Sequence, residues 1–235
     1  MCIRDSNYSV GAVANGVKTD TFTFFLLFFY SNIIGLNPGL AGSAIFIALC
    51  IDAITDPLMG TISDRTNSSF GRRHPYMFIS FIPMSLGYIL LFAPRQEWDM
   101  SQTDLFIWMT IFTVITRIGM TLFDIPHRAF GGEVTKDYKE RTILMSWREM
   151  FAWVAGLSNA FLGYGVFFAS TPEFPQGQLN PDVWFPFALT GAAIMVFSVL
   201  YSSLSTKDEI NSLSKWSGAI SVSYTHLTLP TKEEV

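Results

Sequence analysis

Six stretches of mostly apolar residues, about 11–34, 40–62, 75–93, 104–130, 142–169 and 183–204, alternate along the chain with short polar connections. A helix rises about 1.5 Å per residue, so roughly 20 apolar residues cross the roughly 30 Å hydrocarbon core of a bilayer. The pattern predicts an all-α integral membrane protein with six transmembrane helices. Six buried helices of a soluble bundle are the alternative, and composition weighs against it. Half of the 235 residues are hydrophobic and 14% are charged, where a soluble domain carries about 25% charge.

The polar connections set an expected orientation. Arg65, Arg72 and Arg73 separate the second and third runs; Lys136, Lys139 and Arg141 separate the fourth and fifth; Lys207 follows the sixth. The alternate connections hold only Arg95. Basic loops stay on the cytoplasmic side, so the N-terminus and the end of the sixth run are expected there, in a multi-pass protein of the cytoplasmic (inner) membrane. The net charge of −4 is uninformative about partners. No nucleic-acid or phosphate-cradling motif is present, and the expected partners are membrane lipid and a small-molecule substrate.

The two ends are expected to differ in origin from the rest. Met1–Ser6 can be encoded by ATG TGT ATA AGA GAC AGY, whose reverse complement in another frame encodes Val222–His226. Residues 1–6 and 222–235 are therefore expected to be scars of a sequencing-library adapter. That leaves 7–206 as a transporter domain and 207–221 as the start of a central cytoplasmic loop, cut from a longer protein. No cleavable signal peptide precedes the first run. With Cys50 then the only native cysteine, disulfides and cysteine metal sites are excluded, and no cofactor is expected.

Candidate chemistry lies in the charges inside the apolar runs. Asp52 and Asp56 stand one turn apart in the second run and share a helix face. A carboxylate in hydrocarbon costs about 2.5–3.5 kcal/mol on insertion scales, so a pair of them points to a bound cation or an internal cavity, with polar helix-packing as the bland alternative. Hard cations take oxygen ligands, and Asp52, Thr55, Asp56 and, from the fourth run, Thr121 can supply them. His and Cys are missing from this set, which leaves no metal beyond Na⁺; the coupling ion is Na⁺ or H⁺. Helical rise places Asp124 and Arg117 of the fourth run, Arg148 of the fifth, and Lys18 with Asp20 of the first at neighbouring depth. Such charges face a bundle interior and pair with one another. Asp124 can bridge to Arg117 or Arg148, Arg117 can be a counter-ion or a substrate ligand, and Lys18 with Asp20 can be a snorkelling pair. Glu149 points to another face from Arg148 and is expected to be structural.

The loop Gly60-Thr-Ile-Ser-Asp64-Arg65-Thr-Asn-Ser-Ser-Phe-Gly71-Arg72-Arg73-His-Pro75 resembles the loop between helices 2 and 3 of major facilitator transporters. With Asp52-x-x-x-Asp56-Pro57, Asp124-Ile-Pro126 and the run Glu133–Thr142, the chain is similar to the glycoside–pentoside–hexuronide:cation symporters, the melibiose permease family. The resemblance covers 7–205 and implies the N-terminal half of a twelve-helix fold that has lost its C-terminal six-helix half. It implies cation ligation by Asp52, Asp56, Thr55 and Thr121, with Thr55 where the family often has Asn. It implies substrate contacts at Asp124 and Arg148, the latter with a one-residue offset. A cytoplasmic gating loop follows from Gly60, Asp64, Arg65, Gly71, Arg72, Arg73, Glu133 and Arg141. Two departures stand out: Gly16 occupies the place of the family's helix 1 acid, with Asp20 one turn away to substitute, and Arg117 adds a charge. The implied function is cation-coupled symport of a sugar, glycoside or related solute, not an enzyme activity. Sodium-dependent lysophospholipid symporters share the cation motif, which makes an amphiphilic or anionic substrate the alternative. The remote alternative is an intramembrane Mg-dependent prenyltransferase, which also uses Asp-x-x-x-Asp but needs a second acidic cluster.

Overall fold

The computed structural model describes residues 3–66, 68, 71–134 and 137–207. The expectations for 208–221 and 222–235, and for Met1 and Cys2, lie outside the described residues. Among the described residues all regular structure is helical. A short α1 (Ile3–Ser9) precedes α2, a helical column over 12–34. Then come α3 (Pro38–Arg65), α4 (His74–Ile79 and Phe81–Leu91), α5 (Gln102–Val134), α6 (Tyr138–Leu162) and α7 (Trp184–Ser205). The columns α2 to α7 correspond to the six apolar runs, and the five from α3 to α7 are long and apolar enough to cross a membrane. The first column differs: α-helix over Ala12–Asp20 and Leu26–Phe28 alternates with π-helix over Thr21–Phe25 and Phe29–Ile34. Helix α5 outruns the expected 104–130 at both ends, and α6 begins at Tyr138, four residues early.

Local chemistry sets the ends. Gly35 takes a left-handed φ of 86°, open to glycine without strain, and closes α2. Asn37 caps α3 by accepting from Gly39 N at 2.8 Å, with Pro38 in the first turn. Gln102 at the start of α5 ties this corner, accepting from Asn37 N at 2.8 Å and donating to Gly35 O at 2.9 Å. Asp137 caps α6 through Lys139 N and Glu140 N. Pro57 lies inside α3 and Pro126 inside α5. Neither has an N–H to give the carbonyl four residues back, so the Ala53 carbonyl lacks its helical partner beside Asp52 and Asp56.

The packing has an internal symmetry. Helix α2 packs on α6 and α7, α5 packs on α3 and α4, and α4 packs on α7. Exchanging α2, α3, α4 with α5, α6, α7 reproduces the same set of neighbours, as in folds built from repeated halves. The close contacts run through small residues, which let backbones approach in a medium that provides no hydrophobic drive. A Cβ on Gly16 would overlap the Ala152 carbonyl, and one on Gly119 would overlap the backbone of Met84. One end of the bundle is filled by aromatic rings around fully buried Trp184, with Phe25, Phe28, Phe29, Phe92, Phe168 and Phe187 within 6.5 Å, centroid to centroid. At the other end Tyr8 stacks on His127 at 4.2 Å, and its hydroxyl donates to the His127 carbonyl at 3.0 Å. Helices α3 and α6 are the least covered, with Phe46, Ile54, Leu58, Trp153, Leu157 and Phe161 all exposed.

Candidate functional site

Helix α3 carries its acids towards α5. The Arg117 guanidinium donates through Nη1 to Asp52 Oδ2, and one turn further Thr121 Oγ1 donates to Asp56 Oδ1 at 2.7 Å. All four residues of this ladder are buried or half-buried. Asp52 Oδ1 and Arg117 Nε are buried without a hydrogen-bond partner. Thr55, half-buried in the same turn of α3, donates its hydroxyl to the Asp52 carbonyl at 3.4 Å. Lys18 on α2 lies within electrostatic reach of Asp52, Asp56, Asp124 and Arg117.

A second knot joins α5 to α6. Arg148, 0% exposed, donates to Asp124 Oδ1 and, at 2.5 Å, to Glu149 Oε1. Arg128 donates to the other Asp124 oxygen at 2.7 Å and stands 3.8 Å from Glu149. Asp124 therefore bridges to Arg148, not to Arg117. The expectation that Glu149 points away from Arg148 is corrected: the Arg148 guanidinium reaches its neighbour's carboxylate.

Asp20 stands apart from both groups. It is 8% exposed, and its carboxylate accepts from Asn159 Nδ2 at 2.9 Å. Asn159 also donates to Thr21 Oγ1 at 3.2 Å, and Thr21 shares a hydrogen bond with Tyr88 at 2.7 Å. Asp20 lines a cavity of about 360 Å³ between α2 and α6, walled by Asn15, Thr19, Phe24, Trp153 and Leu157. A helix spacing of 11 residues puts Asn159 on the same face as Arg148, a repeat visible in the buried series Leu144, Arg148, Ala152, Ala155, Asn159. That spacing is the signal by which Asn159 could have been found; Arg128 sits one turn from Asp124 and was open to the same argument.

The gating-loop residues gather in part. Arg73, its side chain 8% exposed, bridges Asp64 at 2.7 Å and Glu133 at 3.1 Å, and Arg72 reaches Glu133 at 2.8 Å. This ties the end of α3 to the end of α5. Gly71 adopts φ 83° and makes the turn that delivers the two arginines. Gly60 faces α5 near Ile125, Arg65 is exposed at the end of α3, and Arg141 is exposed in the first turn of α6.

The acid ladder offers an ion carboxylate oxygens and the Thr121 hydroxyl, donors of the kind a hard cation takes. Among the described residues no group of three or more His, Cys, Asp and Glu is placed to hold a metal. The second acidic cluster that a diphosphate-binding enzyme needs is not assembled among the described residues, because Asp124 is taken up by arginines.

The chain is 32% identical over 208 residues to an uncharacterized symporter of Synechocystis sp., covering 86% of this chain and 37% of the relative. It is 30% identical over 155 residues to the inner membrane symporter YicJ of Escherichia coli, covering 66% and 33%. A sodium-dependent lysophosphatidylcholine symporter of Danio rerio is more distant, 28% identical over 171 residues, covering 70% and 31%. The chain thus spans about a third of the length of the curated relatives it matches. Residues 7–222 match the MFS/sugar transport protein family, and with five membrane-length helices and a half-buried acid pair on one of them, the chain belongs to that family as a multi-pass membrane protein.

Proposed function

We propose that the chain is the N-terminal six-helix half of a twelve-helix symporter that moves a sugar, glycoside or related solute across the cytoplasmic membrane together with Na⁺ or H⁺. The observation that carries the reading is the ladder of Asp52 with Arg117 and Asp56 with Thr121 across two membrane-length helices. Uncompensated acids at that depth are expensive, and a cation binding there lowers the cost of closing the cavity around it. In this reading Asp52, Asp56, Thr55 and Thr121 hold the ion. Asp124, Arg148, Asp20, Lys18 and Arg117 form the solute-facing wall. The solute raises cation affinity by the same factor that the cation raises solute affinity.

The exposed apolar faces of α3 and α6 suit a second six-helix half, against which this one rocks during alternating access. The Asp64–Arg73–Glu133 bridge, with Gly60, Arg65, Gly71, Arg72 and Arg141, then latches the cytoplasmic side, where the N-terminus also lies. In this reading the protein is a transporter, not an enzyme. The test is solute uptake by the gene's full reading frame with Asp56→Cys. Loss of cation-stimulated uptake supports the assignment, and unchanged stimulation ends it.

A second reading, symport of a lysophospholipid-like or anionic amphiphile, draws support from the cavity of about 360 Å³ beside Asp20, whose Phe24, Trp153 and Leu157 walls suit an acyl chain. Uptake of a labelled lysophospholipid with no uptake of glycosides would favour it.

A further inference from the structure

Arg117 brings a permanent positive charge to the place where a coupling ion is needed. We propose that Arg117 is a tethered competitor for the coupling cation: its guanidinium occupies the side of Asp52 that a free ion must take. The proposal rests on the cation-coupled reading above and refines it.

The contact is direct, since Nη1 of Arg117 donates to Asp52 Oδ2 and both side chains are largely buried, at 13% and 20% exposure. A guanidinium cannot lose its charge in a protein, so it withdraws an oxygen from the site and repels a second cation at the same time. The hold is also built to be exchangeable. Arg148 is anchored at both Asp124 and Glu149, whereas Asp52 is the one acid paired with Arg117 among the described residues, and Arg117 Nε is buried without a partner. The guanidinium carbon lies 5.5 Å from the Phe22 ring centroid. That aromatic face on α2 already attracts the guanidinium where it stands, so this attraction need not be lost when the carboxylate is released. On the acid side, Asp52 Oδ1 is buried and unpartnered, and Asp56, one turn on, receives a neutral hydroxyl from Thr121. A small ion arriving between the two carboxylates thus finds one open oxygen on Asp52 and gains the second only by displacing Arg117. Its apparent affinity is the intrinsic affinity scaled by the fraction of molecules in which Arg117 is off Asp52.

The experiment uses the product of the gene's full reading frame in lipid nanodiscs and reads its melting temperature against NaCl, with choline chloride at matched ionic strength as the control. Arg117→Gln is expected to shift the sodium midpoint at least about tenfold lower than wild type, and Arg117→Lys to stay near wild type. An unchanged or higher midpoint in Arg117→Gln overturns the proposal. Should that variant fail to fold, side-chain NMR of ¹⁵N-arginine wild type decides, with Arg117→Lys assigning the signal. Arg117 is expected to shift saturably with sodium and not with choline; no shift overturns the proposal. If sodium acts equally on wild type and Arg117→Gln while uptake by the full reading frame still requires Asp56, the competitor fails and the symport reading stands. If uptake is indifferent to Asp56 as well, both fail.

Discussion

Thr121 meets Asp56 across 65 residues of sequence, and one turn earlier Arg117 meets Asp52 across the same 65. A turn later the pattern continues, with a Cβ position on Gly60 lying 3.9 Å from Ile125. Equal offsets mean that α3 and α5 run parallel and stay in register through these turns. Each turn of α5 therefore presents one side chain to its opposite on α3, so the pair behaves as a set of separable contacts.

Thr121→Val tests one of those contacts at nearly constant volume. The hydroxyl donated to Asp56 at 2.7 Å is lost, and hydrogen bonds to charged groups contribute about 1.5–3 kcal/mol. Cation affinity, read from the cation dependence of uptake or of melting, is expected to fall by about tenfold or more. Thr121→Ser should stay close to wild type. Equal affinity in the valine variant would remove Thr121 from the ion site.

Asp20 and Asn159 form a contact in the wall proposed to face the solute. Asp20→Asn keeps the shape of the side chain and removes its charge beside the cavity lined by Phe24 and Trp153. Solute affinity is expected to drop while the cation midpoint measured without solute stays within about twofold. Asn159→Ala is expected to be worse for the fold, because it leaves a buried carboxylate and the Thr21 hydroxyl short of a donor. The cost of unsatisfied buried groups is about 1–3 kcal/mol, visible as a lower melting temperature.

How legible this site is from the sequence depends on charge. Asp52, Asp56, Arg117 and Arg148 announce themselves because an ionised group in an apolar run needs an explanation. Asn159 carries no charge and merges with the polar residues around it, although it holds Asp20. Pairings are harder than placements: depth puts Asp124 near both Arg117 and Arg148, and only the α5–α6 crossing decides for Arg148. The spans of α3 to α7 are readable from length and hydropathy. The π-helical turns of α2 are not, since Thr21–Phe25 and Phe29–Ile34 have the composition of any apolar helix. Their wider turns are selected by packing: Phe25 and Phe29 are held among Trp184, Phe92 and Phe187.

The bridge that joins the ends of α3 and α5, proposed above as a cytoplasmic latch, should separate rate from affinity. Arg73 is 8% exposed and contacts both Asp64 and Glu133, whereas Arg72 is 52% exposed and contacts Glu133. Exposed pairs contribute about 0–1 kcal/mol, so Arg72→Ala should change little. Arg73→Ala removes the only group that joins both acids among the described residues, and Asp64→Asn weakens the same joint. Both are expected to change transport rate, and the labelling rate of a cysteine placed at the cytoplasmic mouth, far more than cation affinity. A change in affinity with unaltered rates would count against a latch.

Gly16 and Gly156 lie across one interface and should respond unequally to the same substitution. A Cβ on Gly16 would overlap the Ala152 carbonyl, a backbone atom that cannot rotate away, whereas one on Gly156 meets Gly16 O at 3.3 Å and Asp20 Cβ at 3.5 Å. Replacing a mid-helix glycine by alanine gains about 1 kcal/mol of helix propensity at either position. Overpacking costs about 1–3 kcal/mol, and at Gly16 it requires α2 and α6 to separate along the contact that also seats Asp20 on Asn159. Gly16→Ala is therefore expected to lower the melting temperature and, by moving Asp20, to weaken solute binding. Gly156→Ala, where the neighbours need yield only a few tenths of an ångström, should leave stability within about 1 kcal/mol of wild type. Parallel melting curves settle the comparison; equal losses at both glycines would mean that the α2–α6 contact tolerates no added volume anywhere, and that Gly16 has no special place in seating the acid.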